Sequence, residues 1–324
     1  MNFTHQNHLR YTIGGRLYGF RETIYEKYTV QVGTIDPYIH KNTSWVQEQQ
    51  RTADLIYKDF GKDFVVMFSG GTDSEIVLRA FLKIGIRPRP IFIRFSGGYN
   101  SNDAMIARYV CQQLDLELEE IEFDIIDFYN SGQAWEFAAE IHCRQMAYLS
   151  VYHHIRQLQL PAVMGGELLL RRSITPKSCD WFYCFRENED ASAMRFSQKY
   201  NIPLVNEWFS YTPEMIGKFI ESKPVQLLLK EKYKLASVTS KNRILMTLLP
   251  EIVKKQKTHG FEKLLGFNGE TYDTLHRSHV KRLESSLDGI MLKDLYRQLY
   301  SEDLYNEIYW GKKQDGLFSS QINQ

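Results

Sequence analysis

The residues of this chain best suited to chemistry are Phe68-Ser69-Gly70-Gly71-Thr72-Asp73-Ser74. They lie between an apolar run, Phe64 to Phe68, and an amphipathic stretch that begins at Asp73. A loop between a buried strand and a helix offers an anion its backbone N–H groups and the positive end of the helix dipole. Gly70 and Gly71 let the backbone come close to that anion and take positive φ. Ser69 and Ser74 add hydroxyl donors, and Asp73 is a hard oxygen ligand able to hold Mg²⁺ beside phosphates. No Gly-Lys-Ser/Thr closes the loop, so it is not of the Walker type. The plainer reading is a glycine-rich turn with Asp73 as a helix cap. The strand before it and the helix after it favour the anion loop.

Other reactive residues form weaker groups. Cys179 and Cys184 are too far apart for a C-x-x-C pair, and neither Cys111 nor Cys143 completes a zinc spacing. All four read as ordinary thiols. His153-His154, beside Tyr152 and Ile155, reads as packing or surface. Arg171-Arg172 suits either an anionic substrate or a solvated face. Tyr148 and Glu140 are candidates to face a pocket from a long helix.

The elements that must hold the loop are legible in the apolar pattern. Phe64 to Phe68 is a continuous apolar run, as in a parallel strand covered on both faces. Ile76, Val77, Ala80, Phe81 and Ile84 then form a helical stripe that stops at Gly85. A second strand at 91–95, a helix from Asn102 to Leu114 and a third strand at 117–123 follow. A long helix from about Gln133 to Gln159 leads to a short fourth strand, Pro161-Ala162-Val163-Met164. This alternation predicts an α/β fold with a doubly wound parallel sheet. Ahead of it, 10–20 and 27–35 read as short strands forming a hairpin pair, and Trp45, Val46, Ala53, Leu55 and Ile56 lie on a helix ending at Gly61. From about Pro203 the strand signals fade and the chain reads as helical. The expected division is a small strand-and-helix segment at 1–60, a nucleotide-binding domain at 61–265 and a helical extension at 266–324.

The composition narrows the partners. The chain has 324 residues, with Lys+Arg 40 against Asp+Glu 39, a formal net charge of +1. That balance gives no support to a nucleic-acid partner. No run of about 18 apolar residues exists to span a membrane, and the first residues lack a secretory apolar stretch. A cytoplasmic enzyme is the expectation.

The loop resembles the S-G-G-x-D-S pyrophosphate loop of the PP-loop ATP pyrophosphatases, residue for residue over Ser69 to Ser74. Two further stretches are similar to the synthetase domain of asparagine synthetase and β-lactam synthetase. Val163-Met164-Gly165-Gly166-Glu167-Leu168-Leu169 looks like a shortened S-G-E-G-A-D-E-L-F segment. Ser240-Lys241-Asn242-Arg243-Ile244-Leu245, then Leu249-Pro250-Glu251-Ile252, then Lys255-Gln256-Lys257 through Phe261 look like S-K-x-L-L-R, L-P-x-x-I and R-x-K-x-x-F. Lys255 stands where the family usually has Arg.

The resemblance implies an adenine nucleotide alpha hydrolase-like fold, with ATP and Mg²⁺ as cofactors. It implies that Ser69, Gly70, Gly71, Thr72, Asp73, Ser74, Gly165 and Gly166 contact the nucleotide. Asp73 and Glu167 would hold the metal, and Lys257 would stabilise the α-phosphate and the reacting acyl group. For Glu167 the alternative is the capping acid of a strand-to-helix turn, and for Lys257 a solvated helix face. The implied reaction is adenylation of a small-molecule carboxylic acid, with transfer of the acyl group to an amine or ammonia. The family's glutaminase begins with a cysteine nucleophile, whereas Asn2 stands at the second position here. The expected nitrogen source is free ammonia, an amine of the substrate or a separate glutaminase. The rival readings are a PP-loop thiolase that adenylates a carbonyl oxygen and a nucleotide-binding protein without turnover.

Overall fold

In the computed structural model the described residues are 9–13, 16–19, 29–32, 42–141, 143, 146–166, 169–174, 179–184, 192–193, 196–197, 199–229 and 238–252. Their centre is a five-stranded parallel sheet. Its strands are β4 (Val65–Met67), β5 (Arg89–Phe95), β6 (Glu119–Phe123), β7 (Ala162–Met164) and β10 (Leu204–Val205), in spatial order β10-β7-β4-β5-β6. The chain therefore starts in the middle, runs outward to β6, and returns to the other side of β4 for β7 and β10. This is the doubly wound arrangement predicted from the strand-helix alternation.

Strands β4, β7 and β10 are covered on both faces, and every one of their residues is buried and apolar. Alternate side chains enter different cores. Val66, Phe68, Phe92, Val163 and Val205 join one cluster, with Ile76, Val77, Ala80 and Phe81 of α2 (Thr72–Lys83). Val65, Met67, Ile91, Ile93, Phe95, Ala162, Met164 and Leu204 join the other, with residues of α4 (Ile125–Asn130), α5 (Gln133–Ile141) and α6 (Met146–Leu158). Period-two alternation thus survives inside what reads as an unbroken apolar run.

Local signals set the helix ends. α1 (Trp45–Phe60) opens on a capping box, in which the Ser44 hydroxyl accepts from Gln47 N and Gln47 Oε1 accepts from Ser44 N. It ends at Gly61, where φ is +75°. The α1 residues Trp45, Ala53 and Ile56 are buried in the same core as α2, so this helix packs with the sheet domain. At the far end of α2, Gly85 N bonds to Leu82 O and Ile86 N to Phe81 O, the paired pattern that a left-handed glycine permits. α3 (Ser101–Gln113) links β5 to β6.

Four expectations change. The N-terminal strands form a three-stranded antiparallel sheet, β2 (Arg16–Gly19), β1 (Leu9–Ile13) and β3 (Thr29–Val32) in that order, and not one pair. The long helix at 133–159 is two helices, α5 and α6, which bury Phe137 and Tyr152 in one cluster. β10 exists beyond Pro203, paired in parallel with β7. An antiparallel hairpin, β8 (Leu169–Ile174) and β9 (Cys179–Cys184), begins three residues after Gly166, so the turn is not a strand-to-helix one. Beyond β10 lie α7 (Pro213–Glu221), α8 (Lys223–Leu229) and α9 (Val238–Leu248). The division at 266 lies outside the described residues.

The sheet ends at β6, whose residues are half-buried or exposed. Charge pairs line this edge: Arg89 with Glu119 at 2.8 Å, Arg94 with Glu122 at 2.6 Å, and a two-pronged Arg108 pair with Glu120. The Arg108 hydrogen bonds hold the Glu120 carboxyl below its ordinary range. No helix among the described residues is long and apolar enough to cross a membrane.

Candidate active site

The Ser69–Ser74 loop sits where β4 ends and α2 begins. β4 lies between β5, which follows it in the chain, and β7, which comes after the crossover to the other side. The C-terminal ends of β4 and β7 therefore flank the point where the winding reverses. In open α/β sheets this crevice is where ligands bind.

The loop is braced from within. Ser74 is buried, and its hydroxyl donates to Gly71 O at 3.2 Å and accepts from Ser69 N at 3.3 Å. The Ser69 hydroxyl lies 3.1 Å from that of Ser74 and accepts from Gly71 N at 3.4 Å, while Ser69 itself is exposed at the rim. Ser74 thus shapes the loop and Ser69 presents to the outside. Only one of the two glycines needs positive φ. Gly70 has φ +73°, and a Cβ there would stand 2.8 Å from Asp103 O in the first turn of α3. Gly71 has φ −80°, open to any residue, and no side-chain hydrogen bond caps α2 there. Thr72 and Asp73 occupy the first turn of α2, where an acid also complements the helix dipole.

Gly165 and Gly166 end β7 directly beside this turn. A Cβ on Gly165 would lie 2.7 Å from Ser74 N and 2.9 Å from Asp73 C, so the two turns meet backbone to backbone. Gly166 has φ +64° and packs on Asn206 and Glu207, which follow β10. The structure thus brings together the six loop residues and the two glycines that the resemblance assigns to the nucleotide. Glu167 and Lys257, with Lys254, Lys255 and Asn2, lie outside the described residues.

Sequence reasoning missed three polar residues of this region. Asp103, on the first turn of α3, is buried 3% exposed and lines a pocket with Ser69 and Ser150. Glu207 and Asn206 are buried beyond β10. The signal available was the apolar pair Leu204-Val205 followed at once by two polar residues, a pattern too short to read alone. The pocket opens between Ser69 and the β5 strand. Its floor is Met67, Ile91, Ile93 and Phe95, and it holds about 580 Å³ of space, mouth included. Two predicted pocket residues are elsewhere. Glu140 pairs with Lys199 and Arg156, and Tyr148 packs beside Tyr152.

The donor set fits a phosphate with its metal. Exposed Ser69, the uncapped first turn of α2 and the Asp73 carboxylate stand together on one turn. Among the described residues no three His, Cys, Asp or Glu side chains gather into a metal site. The set suits an ion that arrives with phosphate oxygens and water as its remaining ligands, as Mg²⁺ commonly does.

His153 and His154 lie in the core below the site, among the rings of Phe123, Phe128 and Phe137. Burial lowers both, and His153 is pushed down to about 4 by burial first, then by His154 and Arg156. The folded chain thus keeps His153 neutral where an unfolded chain would protonate it near pH 6.5. Its contribution to stability is intact above pH 6.5 and is lost as pH falls from 6.5 toward 4. Denaturant titrations should show a loss on the order of 3 kcal/mol over that window, and His153→Leu should flatten most of it.

No protein-family model matches this chain, and no curated protein matches it. Among solved structures it is similar to a predicted subunit of tRNA methyltransferase from Methanocaldococcus jannaschii, at 14% identity over 65% of this chain and 89% of that one, with a TM-score of 0.34. It is also similar to NMN synthetase from Francisella tularensis, at 12% identity over 77% and 94% of the two chains, with a TM-score of 0.32. Likeness at this level transfers no activity.

Proposed function

We propose that this chain is an ATP-dependent ligase of the PP-loop type. It adenylates a substrate carboxylate, releases pyrophosphate and passes the acyl group to an amine or ammonia, as asparagine synthetase does. The observation that carries the reading is the seating of the S-G-G-x-D-S loop at the winding reversal, with Gly165 pressed on its first helical turn.

A carboxylate resists amines because its leaving group would be oxide, and adenylation replaces oxide with AMP. The protein must align the acid with the α-phosphorus, offset charge on the departing pyrophosphate and keep water from the mixed anhydride. Ser69 and the first-turn amides of α2 bind the pyrophosphate oxygens. The apolar pocket floor receives the flat base. Asp73, with Glu167, holds Mg²⁺, which when bound supplies positive charge at the leaving group. Lys257 stabilises the crowded α-phosphoryl centre. Positioning and electrostatics then do most of the catalysis.

The test is ATP–pyrophosphate exchange with pools of carboxylic acids and amines. Asp73→Asn should remove Mg²⁺-dependent turnover while costing no more than about 1 kcal/mol of stability, since Asp73 is half-buried in the first turn of α2, outside both cores, and loses there only its favourable interaction with the helix dipole. Wild-type turnover in that variant would remove Asp73 from the metal site.

A further inference from the structure

The pocket beside Ser69 buries a charged residue that the loop chemistry does not use. Asp103, in the first turn of α3, is 3% exposed and lines that pocket. Removing a carboxylate from water is costly unless its surroundings, or a ligand, supply hydrogen bonds. Its main chain abuts the loop, since a Cβ on Gly70 would stand 2.8 Å from Asp103 O. Asp103 is therefore fixed where the Ser69–Ser74 turn meets the pocket.

The other polar side chains along the pocket are committed elsewhere. Asn100 is buried, its Oδ1 accepts from Phe95 N and its Nδ2 donates to Ile93 O, both at 2.8 Å. It thus staples the turn after β5 to its own strand. The Ser150 hydroxyl of α6 donates to Ala147 O at 3.1 Å. Ser69 belongs to the loop. Asp103 is the one ionisable side chain among the described residues that line the pocket. A carboxylate has about four lone-pair sites, so it can take a ligand N–H or O–H in addition to its protein contact.

We infer that Asp103 is a specificity-determining residue that accepts a hydrogen bond from the nucleoside of ATP. This rests on the reading in which the loop holds pyrophosphate and the pocket floor receives the base. Like charge disfavours a direct approach of the carboxylate to the phosphates. On the nucleoside, the groups able to donate are the 6-amino group and the 2′ and 3′ hydroxyls. The pocket brings one of them to Asp103. A nucleotide without that donor leaves a buried carboxylate short of a partner, and sites built on hydrogen bonds reject such analogues strongly.

Calorimetric titration of the full chain compares Mg²⁺-ATP with three analogues that each lack one donor: purine riboside triphosphate, 2′-deoxy-ATP and 3′-deoxy-ATP. One analogue should bind at least about tenfold more weakly than ATP, and it identifies the group that Asp103 reads. Asp103→Ala should bind that analogue and ATP within about twofold of each other, because the partner of the missing donor is gone. Asp103→Asn keeps the shape and an acceptor oxygen but not the charge. Its preference should fall to about threefold, since a neutral hydrogen bond is roughly half as strong as a charge-assisted one. This variant decides the matter if the alanine chain does not fold. A role confined to the scaffold would weaken ATP and analogue together and keep their ratio at the wild-type value, which overturns the proposal. Equal affinity of the wild type for ATP and all three analogues would overturn it too. Mg²⁺-pyrophosphate is the separate arm. A wild type that binds pyrophosphate as tightly as ATP takes the nucleoside out of the pocket, and one that binds neither overturns the loop reading. The proposal falls with either.

Discussion

Gly165→Ala should abolish most nucleotide binding while the protein still folds. The added methyl would stand 2.7 Å from Ser74 N, 2.9 Å from Asp73 C and 3.1 Å from Ser74 Cα, all of them backbone atoms. No side-chain rotation relieves such contacts, so α2 or the β7 turn must move. Overpacking of this kind costs about 1–3 kcal/mol of stability. The loss of function should be larger in proportion, because a shift near 1 Å at a reacting geometry can cost about 10²-fold. Gly85→Ala, at the other end of α2, is the matched control. Its φ is +80°, but a Cβ there meets nothing within 4 Å. It should cost about 1 kcal/mol for the left-handed backbone and leave ATP affinity unchanged. ATP titration and denaturant unfolding of both variants check this. Equal ATP affinities would separate the Gly165 turn from the site.

Lys257→Ala should depress turnover by about 10²–10³, the loss typical for one charge-stabilising donor, on the order of 3–4 kcal/mol. ATP affinity and melting temperature should hardly change, because the interaction strengthens mainly in the transition state. Lys254→Ala, outside the matched triplet, should stay within about 0.5 kcal/mol. Lys257→Arg should not restore the full rate, since a planar fork does not replace a compact ammonium in a fitted site. Single-turnover rates decide this. Small and equal effects at Lys254 and Lys257 would reduce the run to a solvated helix face and remove the asparagine-synthetase-like step from the proposal.

What the sequence revealed of this protein follows from where the determining contacts lie. The Ser69–Ser74 loop, α2 and its Gly85 stop are set by neighbours within a few residues, and all were legible. The two-residue strand β10 was not, because Leu204-Val205 is too short to show a period and owes its place to pairing with Ala162 and Val163. The break between α5 and α6 was hidden because apolar residues continue through Ile141 and Cys143, both buried in the same core. His153-His154 gave no sign of its burial, since the rings around it come mostly from β6, α4 and α5. Asp103 and Glu207 escaped for the same reason. Asp103 meets the loop through its own carbonyl beside Gly70, and Glu207 lies against the Gly166 turn, relations between distant segments that no local pattern carries.

The stacking of three turns also sets when the site can come into being. β4 pairs first with Arg89–Ile91, but its other neighbour is Ala162–Met164, and β7 in turn waits for Leu204-Val205. A growing chain therefore carries the complete Ser69–Ser74 loop long before it carries the glycines that abut it and the β10 turn behind them. Such distant pairings are slow to close. Until residue 207 has left the ribosome, the emerging chain holds a loop without its wall, and the nucleotide can stabilise only a chain that has already brought β7 and β10 home.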